Sequence, residues 1–207
     1  MPALTVGFDL DMTLLDTRPG IAAAYRALTE RTGVRVDAEA AVSRLGPPLR
    51  TEIARWFPPE QVDEAVRVYR ELYPAYAMTP TVPLPGARAA LDAVRRRGGR
   101  VVVVTSKLGR LAKLHLNHLG LAVDELAGDL FAEEKATALR AHGATYYVGD
   151  HVADMVAAEA AGVPGIAVTT GPCSADELRA AGAAVVLADL TGFPAALDGM
   201  IRLALKQ

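Results

Sequence analysis

The chain is poor in the features that mark several large classes of protein. It carries one cysteine, Cys173, in 207 residues. A single thiol forms no intramolecular disulfide and cannot by itself complete a structural zinc site. Neither sign of charge dominates: 22 Lys and Arg stand against 24 Asp and Glu, for a formal net charge of -2. That balance offers no broad basic face to nucleic acid or to an anionic membrane. No apolar run reaches the 18 residues that a bilayer-spanning helix needs, and the opening MPALTVGFDLD lacks the basic start and long apolar stretch of a secretory signal. Internal repeats and low-complexity tracts are missing too. These absences lead us to expect a cytoplasmic monomer or homodimer with no nucleic-acid or membrane partner.

What is present is enough apolar material, 51% of residues, to build one large core or a main core with a smaller one. Apolar or β-branched runs recur at Leu4 to Phe8, Arg100 to Val104, Thr145 to Val148, Gly165 to Val168 and Ala184 to Leu187. They are continuous rather than alternating, the pattern of strands covered on both faces in a parallel sheet. Helix-patterned segments separate them at Ala87 to Arg97, Leu111 to Leu119, Glu133 to His142, Val152 to Ala161, Asp176 to Ala181 and Phe193 to Leu205. Alternation of this kind implies right-handed crossovers and a doubly wound, Rossmann-like α/β fold.

One interruption stands out. Between the first strand and the next strand–helix unit lie the 65 residues Thr17 to Thr81, far more than an ordinary connection of about 4 to 6. Helical periodicity is clear in Gln61 to Tyr76, where Val62, Val66, Tyr69, Leu72, Tyr73 and Tyr76 recur at three- and four-residue steps. Start and stop signals place further helices near Pro19 to Thr32, Asp37 to Leu45 and Pro48 to Phe57. The segment 17–81 therefore reads as a small all-helical domain inserted into a core made of 1–16 and 82–207. The Pro-rich stretch Thr79 to Gly86 is its return hinge.

Ligands of open α/β sheets bind beyond the carboxyl ends of the strands. The first strand ends in Asp9-Leu10-Asp11-Met12-Thr13, the second in Thr105-Ser106-Lys107, and the third in Gly149-Asp150 with Asp154 one turn on. Each piece has a plain local use: Asp150 as a helix cap, Asp154 against the same helix dipole, Thr105 and Ser106 as turn residues, Asp16 as a helix-entry residue. The Asp9 and Asp11 pair resists that explanation, because one cap does not account for two acids beside a core strand. Asp9 and Asp150 are suited to hold Mg²⁺, a hard cation taken by one or two carboxylates plus phosphate and water. A carboxylate beside such an ion can attack phosphorus, and a second carboxyl two residues on can protonate the leaving oxygen. Hydroxyls of the second strand, with Lys135 or Lys107, would hold the remaining phosphoryl oxygens.

These motifs resemble the phosphatases of the haloacid dehalogenase-like superfamily, over nearly the whole chain. Asp9, Asp11 and Thr13 match its Asp-x-Asp-x-Thr motif. Thr105 matches the hydroxyl that ends an aliphatic strand, and Gly149, Asp150, Asp154 and Ala161-Gly162 match its last motif. The resemblance implies that Asp9 is nucleophile and metal ligand. Asp11 is then the acid/base, with its backbone carbonyl on the metal; Asp150 is a ligand and Asp154 stands behind it. The motif lysine is assigned to Lys135, in Glu-Glu-Lys-Ala where close relatives often have Lys-Pro, and Lys107 remains the alternative. Met12 stands where a glycine is usual. The insertion corresponds to the family's helical cap. Thr13, Ser106 and Lys107 are expected to contact substrate, joined from the cap by Gly46, Arg44 and Arg50 around Leu45-Gly46-Pro47-Pro48-Leu49, which resembles the substrate-facing loop of phosphoglycolate phosphatase-like proteins.

The expected function is Mg²⁺-dependent hydrolysis of a small phosphorylated metabolite, phosphoglycolate first among candidates. A phosphomutase using the same acid pair is the alternative, and a non-catalytic phospho-ligand-binding protein a more remote one. Receiver-type signalling modules also combine acids, a hydroxyl and a lysine on a parallel sheet, but they do not account for the long insertion or for the Asp150 and Asp154 pair.

Overall fold

The computed structural model describes residues 3–205. In chain order it runs β1 (Thr5–Phe8), β2 (Leu15–Asp16), α1 (Arg18–Thr32), α2 (Ala38–Val42), α3 (Leu49–Ile53), α4 (Val62–Ala77), β3 (Val82–Pro83), α5 (Ala87–Arg96), β4 (Arg100–Val104) and α6 (Gly109–His118). It continues with β5 (Glu125–Ala127), α7 (Glu133–Ala141), β6 (Tyr146–Gly149), α8 (Val152–Ala161), β7 (Gly165–Val168), α9 (Ala175–Ala180), β8 (Val185–Leu187) and α10 (Phe193–Ala204).

Six strands form one parallel sheet in the order β5-β4-β1-β6-β7-β8. The chain builds outward from β1 through β4 to β5, then returns to lay β6 on the other side of β1. This reversal opens a crevice at the carboxyl ends of β1 and β6, where ligands of such sheets bind. Both faces are covered, which is why the strands are apolar without alternation. Val6, Phe8, Val101 and Val103 pack with α5 and α10 residues such as Leu91 and Leu197, while Val102, Val104 and Tyr147 pack with Leu139, Ala157 and Ala158 of α7 and α8.

Helices α1 to α4 gather round a second hydrophobic cluster, built on Leu28, Ile53, Tyr25, Tyr69 and Tyr73 and joined by Leu111 of α6. The three tyrosines stack in a row, with ring centroids 4.8 and 5.6 Å apart. Two of these helices are shorter than the sequence suggests. The segment Asp37 to Leu45 keeps only the five residues of α2, capped where the Asp37 carboxylate accepts from Ala40 N, and Pro48 to Phe57 keeps the five of α3. The chain enters and leaves this lobe through an antiparallel ribbon, Leu15 opposite Pro83 and Asp16 opposite Val82. The Pro-rich return is thus half of a two-stranded ribbon. Asp16 does serve the helix entry, accepting from Arg18 N at 3.1 Å.

Strand β5 escapes the sequence pattern because Glu125-Leu126-Ala127 has no β-branched residue; it is an edge strand held by pairing with Val102 to Val104.

Candidate active site

The segment after β1 shows how an apolar stretch accommodates its acids. Leu10, Met12 and Leu14 are fully or almost fully buried, and the Leu10 carbonyl accepts from the backbone of Leu14 and Leu15 at 3.0 Å. That tight loop turns Asp9 and Asp11 toward the crevice. Met12 adopts φ 60°, a left-handed conformation that disfavours any side chain with a Cβ. It is held there by its own N–H to the Leu15 carbonyl at 2.8 Å and by the Thr170 hydroxyl donating to its carbonyl at 2.5 Å.

Asp9, Asp150 and Asp154 converge, each offering an oxygen within 4.8 Å of the others. They are 7%, 3% and 1% exposed. The sole ammonium bonded to them among the described residues is that of Lys135, 3.3 Å from Asp9 and 2.7 Å from Asp154. Three buried carboxylates against one lysine leave about two negative charges without a partner. Burial pushes the Asp9 carboxyl up to about 6, with Lys135 opposing and Asp154 and Asp11 adding repulsion. Asp150 is raised well above its usual value, first by burial and then by Asp154 and Asp9. Such a set, all hard oxygen donors with an uncompensated double charge, suits a divalent cation. Two ligands of one Mg²⁺ lie at most about 4.2 Å apart, so only small side-chain shifts separate this arrangement from a closed shell.

Each acid is positioned by a neighbour. Leu10 N–H donates to Asp9 Oδ1 at 2.8 Å, and the fully buried Thr13 hydroxyl donates to Asp150 Oδ1, also at 2.8 Å. Thr13, expected among the substrate contacts, thus sits behind the acids. Asp154 accepts from Lys135, from the Tyr147 hydroxyl at 3.2 Å and from His151 N–H at 3.2 Å. It is His151, not Asp150, that caps α8, its Nδ1 accepting from Ala153 N–H. Asp150 is thereby left to face the crevice.

The two lysines divide the acids between them. Lys135 belongs to the Asp9 group, while Lys107 bonds both oxygens of Asp11 at 2.9 and 3.1 Å. Burial alone would raise the Asp11 carboxyl, but the Lys107 ammonium outweighs it and holds Asp11 below its usual value. Lys107 also lies 4.6 Å over the ring of Tyr73 in α4, whose hydroxyl bonds His115 Nε2 at 2.9 Å. Thr105 is fully buried at the end of β4, and Ser106 donates across to the Gly46 carbonyl at 3.3 Å. Gly46, at φ 132°, sits so close to His151 that a Cβ would come within 2.6 Å of its ring. The lobe therefore closes directly on the sheet edge, and a cavity of about 200 Å³ remains between them.

Arg44 and Arg50, both expected at the substrate, line this cavity with their charges matched inside the lobe. Arg44 makes two hydrogen bonds to Glu52, at 2.6 and 3.2 Å, and Arg50 pairs with Asp63 at the surface. Sequence reading missed Gly171 and Thr170, although β7, like the other strands, ends in polar residues, Thr169-Thr170-Gly171. A Cβ at Gly171 would overlap the Asp150 carboxylate. Nothing in the sequence marks Tyr147, a strand residue whose hydroxyl happens to meet Asp154 and the Val104 carbonyl.

The fold and the site define an α/β enzyme that works at the carboxyl edge of a parallel sheet. The model of the haloacid dehalogenase-like hydrolases matches residues 6–159, and the chain belongs to that family; it is a hydrolase. A probable phosphatase from Dickeya dadantii is 30% identical, the match covering 95% of this chain and 94% of the relative. A phosphoglycolate phosphatase from Chromobacterium violaceum is 31% identical over 84% and 89% of the two chains. Among solved structures, one described as a predicted phosphatase from Clostridium acetobutylicum superposes with a TM-score of 0.82 at 27% identity, covering 94% of this chain and 98% of its own. No described helix is long and apolar enough to cross a membrane.

Proposed function

We propose that the protein is a Mg²⁺-dependent phosphatase that hydrolyses a small phosphomonoester through an acyl phosphate on Asp9, with the helical lobe as its cap. The observation that carries this reading is the trio of buried carboxylates facing a single ammonium, with Asp9 two residues from Asp11, which lines the cavity. The phosphatases among its relatives support it. When bound, the cation would be held by Asp9 and Asp150 with Asp154 behind them, and would neutralise phosphoryl oxygens and fix their orientation.

Asp9 attacks phosphorus, the bond to the leaving oxygen breaks, and Asp11 supplies that oxygen with a proton. Water then attacks the acyl phosphate while Asp11 takes the proton back, which restores Asp9 and releases inorganic phosphate. Lys135, with the Thr105 and Ser106 hydroxyls, stabilises charge on the transferring group. Asp11 can act as an acid only once it is protonated, so Lys107 must loosen its hold. An arriving phosphate dianion competes for the same ammonium and drives that exchange.

A panel of phosphorylated metabolites assayed for phosphate release with and without Mg²⁺ tests the reading; equal turnover in EDTA would contradict it. Phosphoryl exchange between substrates with no net release would make the enzyme a mutase. Gly171→Ala should raise the half-saturating Mg²⁺ concentration about 10- to 100-fold, since its methyl displaces the Asp150 carboxylate. A magnesium titration of phosphate release reads this, and an unchanged midpoint would count against Asp150 as a ligand.

A further inference from the structure

We propose that Arg70 selects the substrate, binding a carboxylate carried by its leaving group. The inference rests on the phosphatase reading and deepens it. Three arginines of the helical lobe line the cavity above the reacting groups. Arg44 is committed to Glu52 by two hydrogen bonds and stacks over Trp56 at 5.9 Å. Arg50 is turned to Asp63 at the surface, with 58% of its side chain exposed. Arg70, on α4, differs from both. Its side chain is 35% exposed and a terminal nitrogen donates to Asp129 at 3.5 Å, but its Nε is shielded from solvent and has no hydrogen-bond partner.

A solvent-shielded N–H without an acceptor is costly, and a ligand oxygen in the cavity would satisfy it. The Nε–H and a terminal N–H of arginine form the fork that matches a carboxylate in two parallel bonds. At the other end of the cavity the Lys107 ammonium is bonded to Asp11 and, once substrate arrives, is taken by the phosphate. Arg70 is thus the one lining cation with a solvent-shielded donor that lacks a partner among the described residues. Across from it, Asp129 sits at φ 61°, held by its N–H to the Lys107 carbonyl and followed by Leu130 N–H to the Thr105 carbonyl. The loop that faces Arg70 is therefore tied to the phosphate end of the site.

The test compares phosphoglycolate with 2-hydroxyethyl phosphate, which has the same length and no carboxylate. Arg70→Gln should raise KM for phosphoglycolate about 10- to 100-fold with kcat changed less than about 3-fold, and leave kcat/KM for hydroxyethyl phosphate within about 3-fold. Arg70→Lys should recover part of the loss. A parallel loss on both substrates would reduce Arg70 to a partner of Asp129 and overturn the proposal, as would an unchanged preference. Calorimetric binding of phosphoglycolate to Asp9→Asn protein, with and without Arg70→Gln, gives a readout independent of turnover. If the wild type releases phosphate from neither compound nor from any other member of the metabolite panel, the phosphatase reading fails; turnover of other phosphomonoesters but of neither of these two would overturn the Arg70 proposal alone. Carboxylate-dependent binding lost with Arg70 would still support recognition, and its absence would sink that as well.

Discussion

Asp9→Asn should lower phosphate release by about 10⁴-fold or more and, at the same time, stabilise the metal-free protein at pH 7.5. The first effect follows from removing the carboxylate proposed to attack phosphorus. The second follows from the electrostatics of the site. The Asp9 carboxyl is displaced from 3.8 to about 6, first because it is buried. Holding it ionised in the folded protein therefore costs about 3 kcal/mol, and the neutral amide avoids that cost. The sign with pH is fixed by the direction of the shift. A carboxyl raised on folding contributes stability that is present below pH 3.8 and lost as pH rises through about 6. Asp150, also raised, adds to the same loss. Melting temperatures measured in EDTA should fall between pH 4 and 7 in the wild type, and fall less in Asp9→Asn. Mg²⁺ should restore the wild type at pH 7.5 and have little effect at pH 4. A variant that melts below the wild type in EDTA at pH 7.5 would show that the acids are not in conflict without a metal.

Lys135→Met should do the reverse. It keeps most of the aliphatic stem and deletes the ammonium that Asp9 and Asp154 share, leaving three buried carboxylates with no cationic partner. Breaking a buried pair from one side costs about 3 to 5 kcal/mol. For a chain of this size, a melting point lower by roughly 10 °C in EDTA is expected. Activity should drop about 10²- to 10³-fold even in saturating Mg²⁺, because charge on the transferring group loses its fixed counterpart. Opposite shifts in stability for Asp9→Asn and Lys135→Met, with activity lost in both, would distinguish this electrostatic arrangement from simple packing damage. Lys107→Met offers a comparison: if it costs as much phosphoryl stabilisation as Lys135→Met, the division of the two lysines between Asp9 and Asp11 is wrong.

The core was legible where a segment carries its structural reason within itself. Arg100 to Val104, Gly165 to Val168 and Val152 to Ala161 have the observed limits, because β-branched runs and glycine stops act over a few residues. Edge strand β5 and the ribbon of β2 and β3 were not legible, since Glu125-Leu126-Ala127, Leu15-Asp16 and Val82-Pro83 become strands only through their partners. The site divides in the same way. Asp9, Asp11, Thr105 and Asp150 stand at strand ends and announce themselves, whereas Tyr147, Gly171 and Tyr73 matter through neighbours that only folding brings to them, such as Val104, Asp150 and His115.

The order and type of residues alone determined a doubly wound sheet with a helical insertion, and the acids, hydroxyls and lysines that topology must collect at one edge. Only the tertiary structure decided which lysine meets which acid, that Thr13 turns to Asp150, and that Arg44 is matched by Glu52 while the Arg70 Nε is left without an acceptor. The physical reason is range. Strand propensity and capping act among neighbours in sequence, but the pairing of charges depends on distances of about 3 Å and on burial, which exist only once the chain has closed on itself.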